Sequence, residues 1–200
     1  LKCVLGFVRP DSGQIDFFGQ GLLDQKKKEK IGYLPERPYY YDFLTAFEFL
    51  KFHWDLSGGG QGFKDRAREV LAKVNLQNVE DKRLRSFSKG MLQRIGLAQA
   101  LLRKPSFLIL DEPTSGLDPN QLVEIRQLIK NIGKEKTVMF SSHIMQEVEA
   151  ISDRVIIINK GKIVADKKAA ELQSSSKAQQ IITVEFDKLV DEFDELINCK

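Results

Sequence analysis

The stretch "FLILDEPTSGLDPNQ", residues 107–121, opens as an unbroken apolar run and closes that run with two acids. Apolar residues without polar alternation predict a strand buried on both faces, the pattern of a parallel sheet. Asp111 and Glu112 then fall at the carboxyl edge of the sheet, where open α/β folds bind ligands. Carboxylates withdrawn from water are costly unless paired or bound to a cation. Asp111 is therefore suited to hold Mg²⁺, and Glu112 to orient or polarise a water for attack on phosphorus. The plainer alternative is a strand-ending Asp-Glu that only caps the next turn.

The neighbouring segments repeat the strand–helix alternation. Asp118 is a good N-cap with Pro119 at the first helical position, predicting a helix over "LDPNQLVEIRQLIKNIG" that stops at Gly133. "TVMFSSH" (137–143) reads as the next buried strand, followed by a helix in "IMQEVEAIS" and a hairpin turning on Asn159-Lys160-Gly161. Upstream, Ser88 is an N-cap for "SFSKGMLQRIGLAQALLRKP", with Leu92, Ile95, Leu101 and Leu102 as its apolar stripe and Pro105 as its stop. A helix over "FKDRAREVLAKV" turns Ala67, Val70, Leu71 and Val74 inward. "LTAFEFLKFHW" suits a helix with Leu44, Phe47, Leu50 and Trp54 on one face. "IGYLPE" (31–36) is a strand ended by Pro35, and "QIDFFG" (14–19) a shorter one. Leu1, Val4, Leu5 and Val8 share a helical face, as though the chain entered a helix after its first turn. The fold class is α/β with a mostly parallel sheet.

With these pieces in order, "LILDEPTSGLDP" resembles the Walker B strand and D-loop of ATP-binding cassette (ABC) ATPases, and the likeness runs to about residue 166. It implies a P-loop NTPase-like core with a helical subdomain. It also implies a metal-holding Asp111, a catalytic Glu112, and a D-loop of Ser115, Gly116, Leu117 and Asp118, in which Asp118 communicates between two sites. The family's signature loop precedes the Walker B acids by about two dozen residues, a position that falls on "FSKGMLQR" (87–94). Ser88, Lys89 and Gly90 would there meet the ATP of a partner cassette, in trans. Lys89 stands where most members have glycine, and Met91 where they have glutamine, a form similar to the multidrug- and copper-export branch. The hydroxyl of Ser88, the close approach allowed at Gly90 and a helix N-terminus keep what a γ-phosphate needs. "LSGGGQ" (56–61) spells a nearer copy of the signature, but it lies some thirty residues too early and is expected to be a turn between two helices. "FSSH" places His143 as the family's switch histidine. "IGYLPE" matches the Q-loop with Glu36 in the usual glutamine position, an oxygen donor for Mg²⁺ with an added charge.

No Gly-x-x-x-x-Gly-Lys-Ser/Thr run occurs in residues 1–200. The resemblance thus predicts an N-terminally truncated cassette, starting just past the P-loop strand and binding ATP poorly by itself. Expected domains are the ATPase core over 1–170 with its helical subdomain at 38–105, a linker at 171–180, and the start of a small appended β/α unit at 181–200. The resemblance implies ATP and Mg²⁺ as cofactors. It also implies a second ABC cassette as homo- or heterodimer partner, transmembrane permease subunits, and a place at the cytoplasmic face of the membrane. Eight aromatics between Pro38 and Asp55 either pack the helical subdomain or offer the permease a docking face. The competing functions are a non-catalytic cassette lending only its signature side, and a non-transport ABC ATPase acting on DNA or ribosomes.

Composition narrows these choices. A formal net charge of +3 gives no argument for nucleic acid as a partner, and the clusters "QKKKEK" and "DKRLR" are short and broken by acids. Cys3 and Cys199 have no metal or disulfide spacing, which fits a reducing compartment. No run approaches the ~18 apolar residues of a membrane span.

Overall fold

The structure is a computed structural model that describes residues 2–17, 19, 21 and 24–171. Two compact units divide at Ile151 and Ser152.

In the first unit, β1 (Ile31–Leu34), β2 (Phe107–Asp111) and β3 (Thr137–Ser141) form a parallel sheet in that order. Parallel neighbours cannot be joined by a tight turn, so helices cross between them. The single helical turn α1 (Gln25–Lys28) precedes β1. Helices α2 (Ala46–Leu56), α3 (Phe63–Lys73) and α4 (Lys89–Leu101) separate β1 from β2. Helix α5 (Pro119–Gly133) separates β2 from β3, and α6 (Met145–Ile151) follows. In the middle of β2, Leu108, Ile109 and Leu110 are each 0% exposed.

Sheet and helices approach closely at Gly32 of β1, where a Cβ would collide with the Ala100 carbonyl of α4. Thr45 caps α2 in a reciprocal capping box with Glu48. Trp54 donates to the Gly60 carbonyl at 3.0 Å, so "LSGGGQ" wraps its own helix end as the turn between α2 and α3. His53 packs edge-on against Phe49 and Phe52, and burial lowers its pKa, as for a structural histidine. Arg66 of α3 is buried and donates to the Leu101 and Leu102 carbonyls at the end of α4, with Glu69 as its counter-ion at 2.7 Å.

Several local expectations give way. The apolar face through Val8 does not form. Residues 2–6 make one turn, and Gly6 (φ 75) ends it, its N–H reaching the Cys3 carbonyl at 3.1 Å and that of Phe7 the Lys2 carbonyl at 2.9 Å. This pair of bonds is the Schellman stop. Residues 14–17 form no strand, because Asp16 accepts from the Gly21 N–H and closes a turn. In α2 the fully buried residues are Ala46, Phe49 and Leu50, while Phe47 and Trp54 lie at the margin. Gly133 is the last residue of α5 in helical geometry rather than a left-handed stop.

The second unit contains the antiparallel pair β4 (Arg154–Asn159) and β5 (Lys162–Lys168). Lys160 and Gly161, both at positive φ, form its two-residue turn. Arg154 and Asp166 join its ends in a bidentate pair at 2.7 and 2.8 Å. The hairpin belongs to the second unit, Ser152–Lys200. Residues 172–180 of the expected linker and the C-terminal unit lie outside the described residues.

The Arg66 contact is testable. Arg66→Leu removes the Arg66 donors from the Leu102 and Leu101 carbonyls, leaving Leu101 only the Lys104 N–H at 3.0 Å, and should lower unfolding stability by about 1–3 kcal/mol. Urea denaturation checks this. A loss within experimental error would mean that the carbonyls find other partners.

Candidate functional site

The apolar run of β2 ends at Asp111, paired in register with Ser141 at the end of β3. The Ser141 hydroxyl donates to Asp111 Oδ1 at 2.6 Å and accepts from the Glu112 N–H at 3.0 Å. One hydroxyl thus fixes both acids. Glu112 has φ 48, a left-handed conformation that costs about 1–2 kcal/mol for a residue with a side chain. Its backbone is held there from both ends, because the Ser115 N–H bonds the Glu112 carbonyl at 3.1 Å. The turn directs the Glu112 side chain towards His143, whose Nδ1 lies 3.0 Å from Glu112 Oε2. A carboxylate can only accept, so His143 donates through Nδ1 and leaves Nε2 for another partner. The hydrogen bond to Glu112 raises the His143 pKa, helped by the charges of Glu112, Glu147 and Glu36.

Thr114 is buried, and the Leu117 N–H bonds its carbonyl at 3.3 Å. Asp118 spends one carboxylate oxygen on the Gln121 N–H at 2.9 Å, capping α5. On the adjacent helix, the Ser88 hydroxyl caps α4 by accepting from the Met91 N–H at 3.2 Å. Lys89 lies over Gly116 of its own chain, where a side chain on that glycine would collide with the ammonium group. A Cβ on Gly90 would strike the Gln121 side chain at 2.7 Å. Arg94 and Glu124 pair further along the same two helices. Lys89 is exposed to solvent and lies beside the turn that follows β2.

The expected site residues therefore form two groups. Asp111, Glu112 and His143 meet at the strand ends. Ser88, Lys89 and Gly90 gather beside Gly116, Asp118 and Gln121. Glu36 is half-exposed beside Arg37 at 3.6 Å and reaches His143 only through its field. Among the described residues, no three His, Cys, Asp or Glu side chains assemble a ready cage for a metal. Mg²⁺ is commonly held by one or two carboxylates completed by phosphates and water. The hard oxygens of Asp111 and Glu36 fit that chemistry.

The ABC transporter family model matches residues 1–115, more than half of the 200-residue chain. The chain belongs to the ABC transporter family. It is 39% identical over 188 residues to an uncharacterized ABC transporter ATP-binding protein of Synechocystis, covering 91% of this chain and 52% of that protein. The bacitracin transport ATP-binding protein BcrA of Bacillus licheniformis is 39% identical over 199 residues, covering 92% of this chain and 64% of BcrA. The lantibiotic transport ATP-binding protein SrtF of Streptococcus pyogenes is 38% identical over 168 residues, covering 84% and 72%. The chain thus spans about half the length of the Synechocystis relative. In fold it is similar to cbiO1 from Clostridium perfringens, part of the ABC transporter complex cbiONQ. The TM-score is 0.78 at 24% identity over 88% of this chain and 74% of cbiO1. An ATP-binding subunit of an ABC transporter aligns with TM-score 0.71 at 26% identity, covering 88% and 75%.

Sequence reasoning about this ABC chain missed Ser141, although "FSSH" contains it. A serine at a strand end carries no signal until the register places Asp111 opposite. Thr114 and Glu147 were missed for the same reason.

The raised histidine pKa gives a check on the geometry. The Glu112–His143 ion pair exists where Glu112 is ionised and His143 protonated, and its contribution is lost as pH rises through the raised His143 value. An NMR titration should find His143 above the ordinary histidine value, and Glu112→Gln should bring it down. An ordinary midpoint in the unsubstituted protein would contradict the contact.

Proposed function

We propose that the chain is part of the ATP-hydrolysing subunit of an export-type ABC transporter, with two cassettes closing on ATP to drive transport. The observation that carries this is the Glu112–His143 pair beside Asp111 at the carboxyl edge of a buried strand. Bound Mg-ATP supplies an electrophilic phosphorus and charge neutralisation at the phosphates. Asp111 and Glu36 would hold the metal. Glu112 has one oxygen on His143 and a second that can take the proton of an attacking water. His143 can present Nε2 to the γ-phosphate or to that water, its other nitrogen being fixed by Glu112. Residues 1–200 contain no P-loop sequence, so in this proposal the phosphate cradle comes from outside them.

Ser88 and Gly90 serve the site of the opposing cassette. The N-terminus of α4 carries about half a positive charge and free N–H groups, a setting for a γ-phosphate. Asp118, capping α5, lies where the two sites would communicate. Permease subunits would place the protein at the cytoplasmic face of the membrane. Tyr39 and Phe43 support such a partner, being 79% and 63% exposed, with Tyr41 and Phe52 stacked edge-on behind them. Tyr40, Phe47 and Trp54 pack instead against the core. BcrA and SrtF, named for bacitracin and lantibiotic transport, favour export of a peptide-like cargo.

In the full-length protein with its permease, Glu112→Gln should lower ATP turnover by about 10²–10⁴-fold while nucleotide still binds. Turnover within twofold of the unsubstituted protein would remove Glu112 from this role.

A further inference from the structure

Glu147 of α6 is 1% exposed, yet it carries a carboxylate that the proposed hydrolysis does not use. Its Oε2 accepts from two hydroxyls on two different loops, Thr114 Oγ1 and Ser142 Oγ, the latter at 3.0 Å. Ser142 Oγ in turn accepts from the Ile144 N–H at 3.1 Å. The other oxygen, Oε1, faces the Arg126 guanidinium of α5 at 3.9 Å, an ion pair too long for a hydrogen bond. Thr114 lies two residues after Glu112, and Ser142 directly before His143. The two loops that carry the reacting pair are therefore fastened to one oxygen atom.

A buried acceptor shared by two loops fixes their separation more tightly than surface contacts can, because breaking either bond leaves a polar group dry. We propose that Glu147 is a positioning residue: it pins the turn after β2 to the loop after β3 and so sets the distance between Glu112 and His143. Its contribution is as a hydrogen-bond acceptor, with Arg126 balancing its charge. This role in turnover rests on the ATPase reading above, whereas the pinning of the loops does not.

The test uses the full-length protein with its permease. Amide hydrogen exchange is followed without nucleotide at Ser115, Leu117 and Ile144, whose N–H groups are bonded within the two loops. Glu147→Ala should speed exchange at all three and lower kcat by about 10- to 100-fold, with KM for ATP within twofold. Glu147→Gln, which keeps an oxygen able to accept from both hydroxyls, should restore slow exchange and most of the turnover. Thr114→Val removes one of the two bonds at nearly constant volume. It should loosen the first loop even if Glu147→Ala fails to fold. Unchanged exchange in both Glu147→Ala and Thr114→Val would overturn the proposal, as would a rise in KM with kcat preserved. If the unsubstituted protein does not hydrolyse ATP, the ATPase reading fails, and exchange alone still decides whether Glu147 pins the loops.

Discussion

Burial of Leu108, Ile109 and Leu110 on both faces of the central strand constrains everything else in the first unit. A parallel strand covered on both sides can offer chemistry only at its ends. The acids that end the apolar run fall there, at Asp111 and Glu112. The next strand is held in register, so Ser141 arrives opposite Asp111 and its hydroxyl engages both acids. A register slip of one residue would turn Ser141 to the other face of the sheet and break both bonds. The position of His143 follows from the same register, two residues further on.

The second consequence concerns the ends of helices α4 and α5. Gly90 admits the Gln121 side chain, Lys89 lies over Gly116, and Arg94 pairs with Glu124. The loop proposed to reach a partner's nucleotide is thus packed against the turn leaving this chain's own Glu112. In the proposed function, a movement of Ser88 would be felt at Gly116 without passing through the sheet. A Cβ at Gly90 would displace the Gln121 side chain and one at Gly116 the Lys89 ammonium, and Gly116 also holds a left-handed φ of 66.

Much of this was legible in the sequence, for identifiable reasons. The unbroken apolar run of β2, the Asp118-Pro119 start of α5 and the Ser88 start of α4 each rest on chemistry local to a few residues, and each forms as expected. The opening helix fails because Gly6 supplies a left-handed stop that the apolar spacing of Val4, Leu5 and Val8 does not register. In α2, two apolar stripes overlap among many aromatics. Packing chose the stripe of Ala46, Phe49 and Leu50, a choice periodicity alone does not make. Ser141, Thr114 and Glu147 were illegible because each depends on a partner about thirty residues away, brought close only by the sheet. The acids at the strand end were visible, whereas the hydroxyls and the buried carboxylate that hold them were not.

The central claim is a nucleotide site shared between two cassettes, with Glu112 on one side and Ser88 on the other. Sedimentation velocity of the full-length Glu112→Gln protein, with any cassette that co-purifies, tests it most directly. Mg-ATP should drive the cassettes into a dimer, and adding Ser88→Arg to the same chain should abolish that association. Identical sedimentation with and without Mg-ATP would contradict the account.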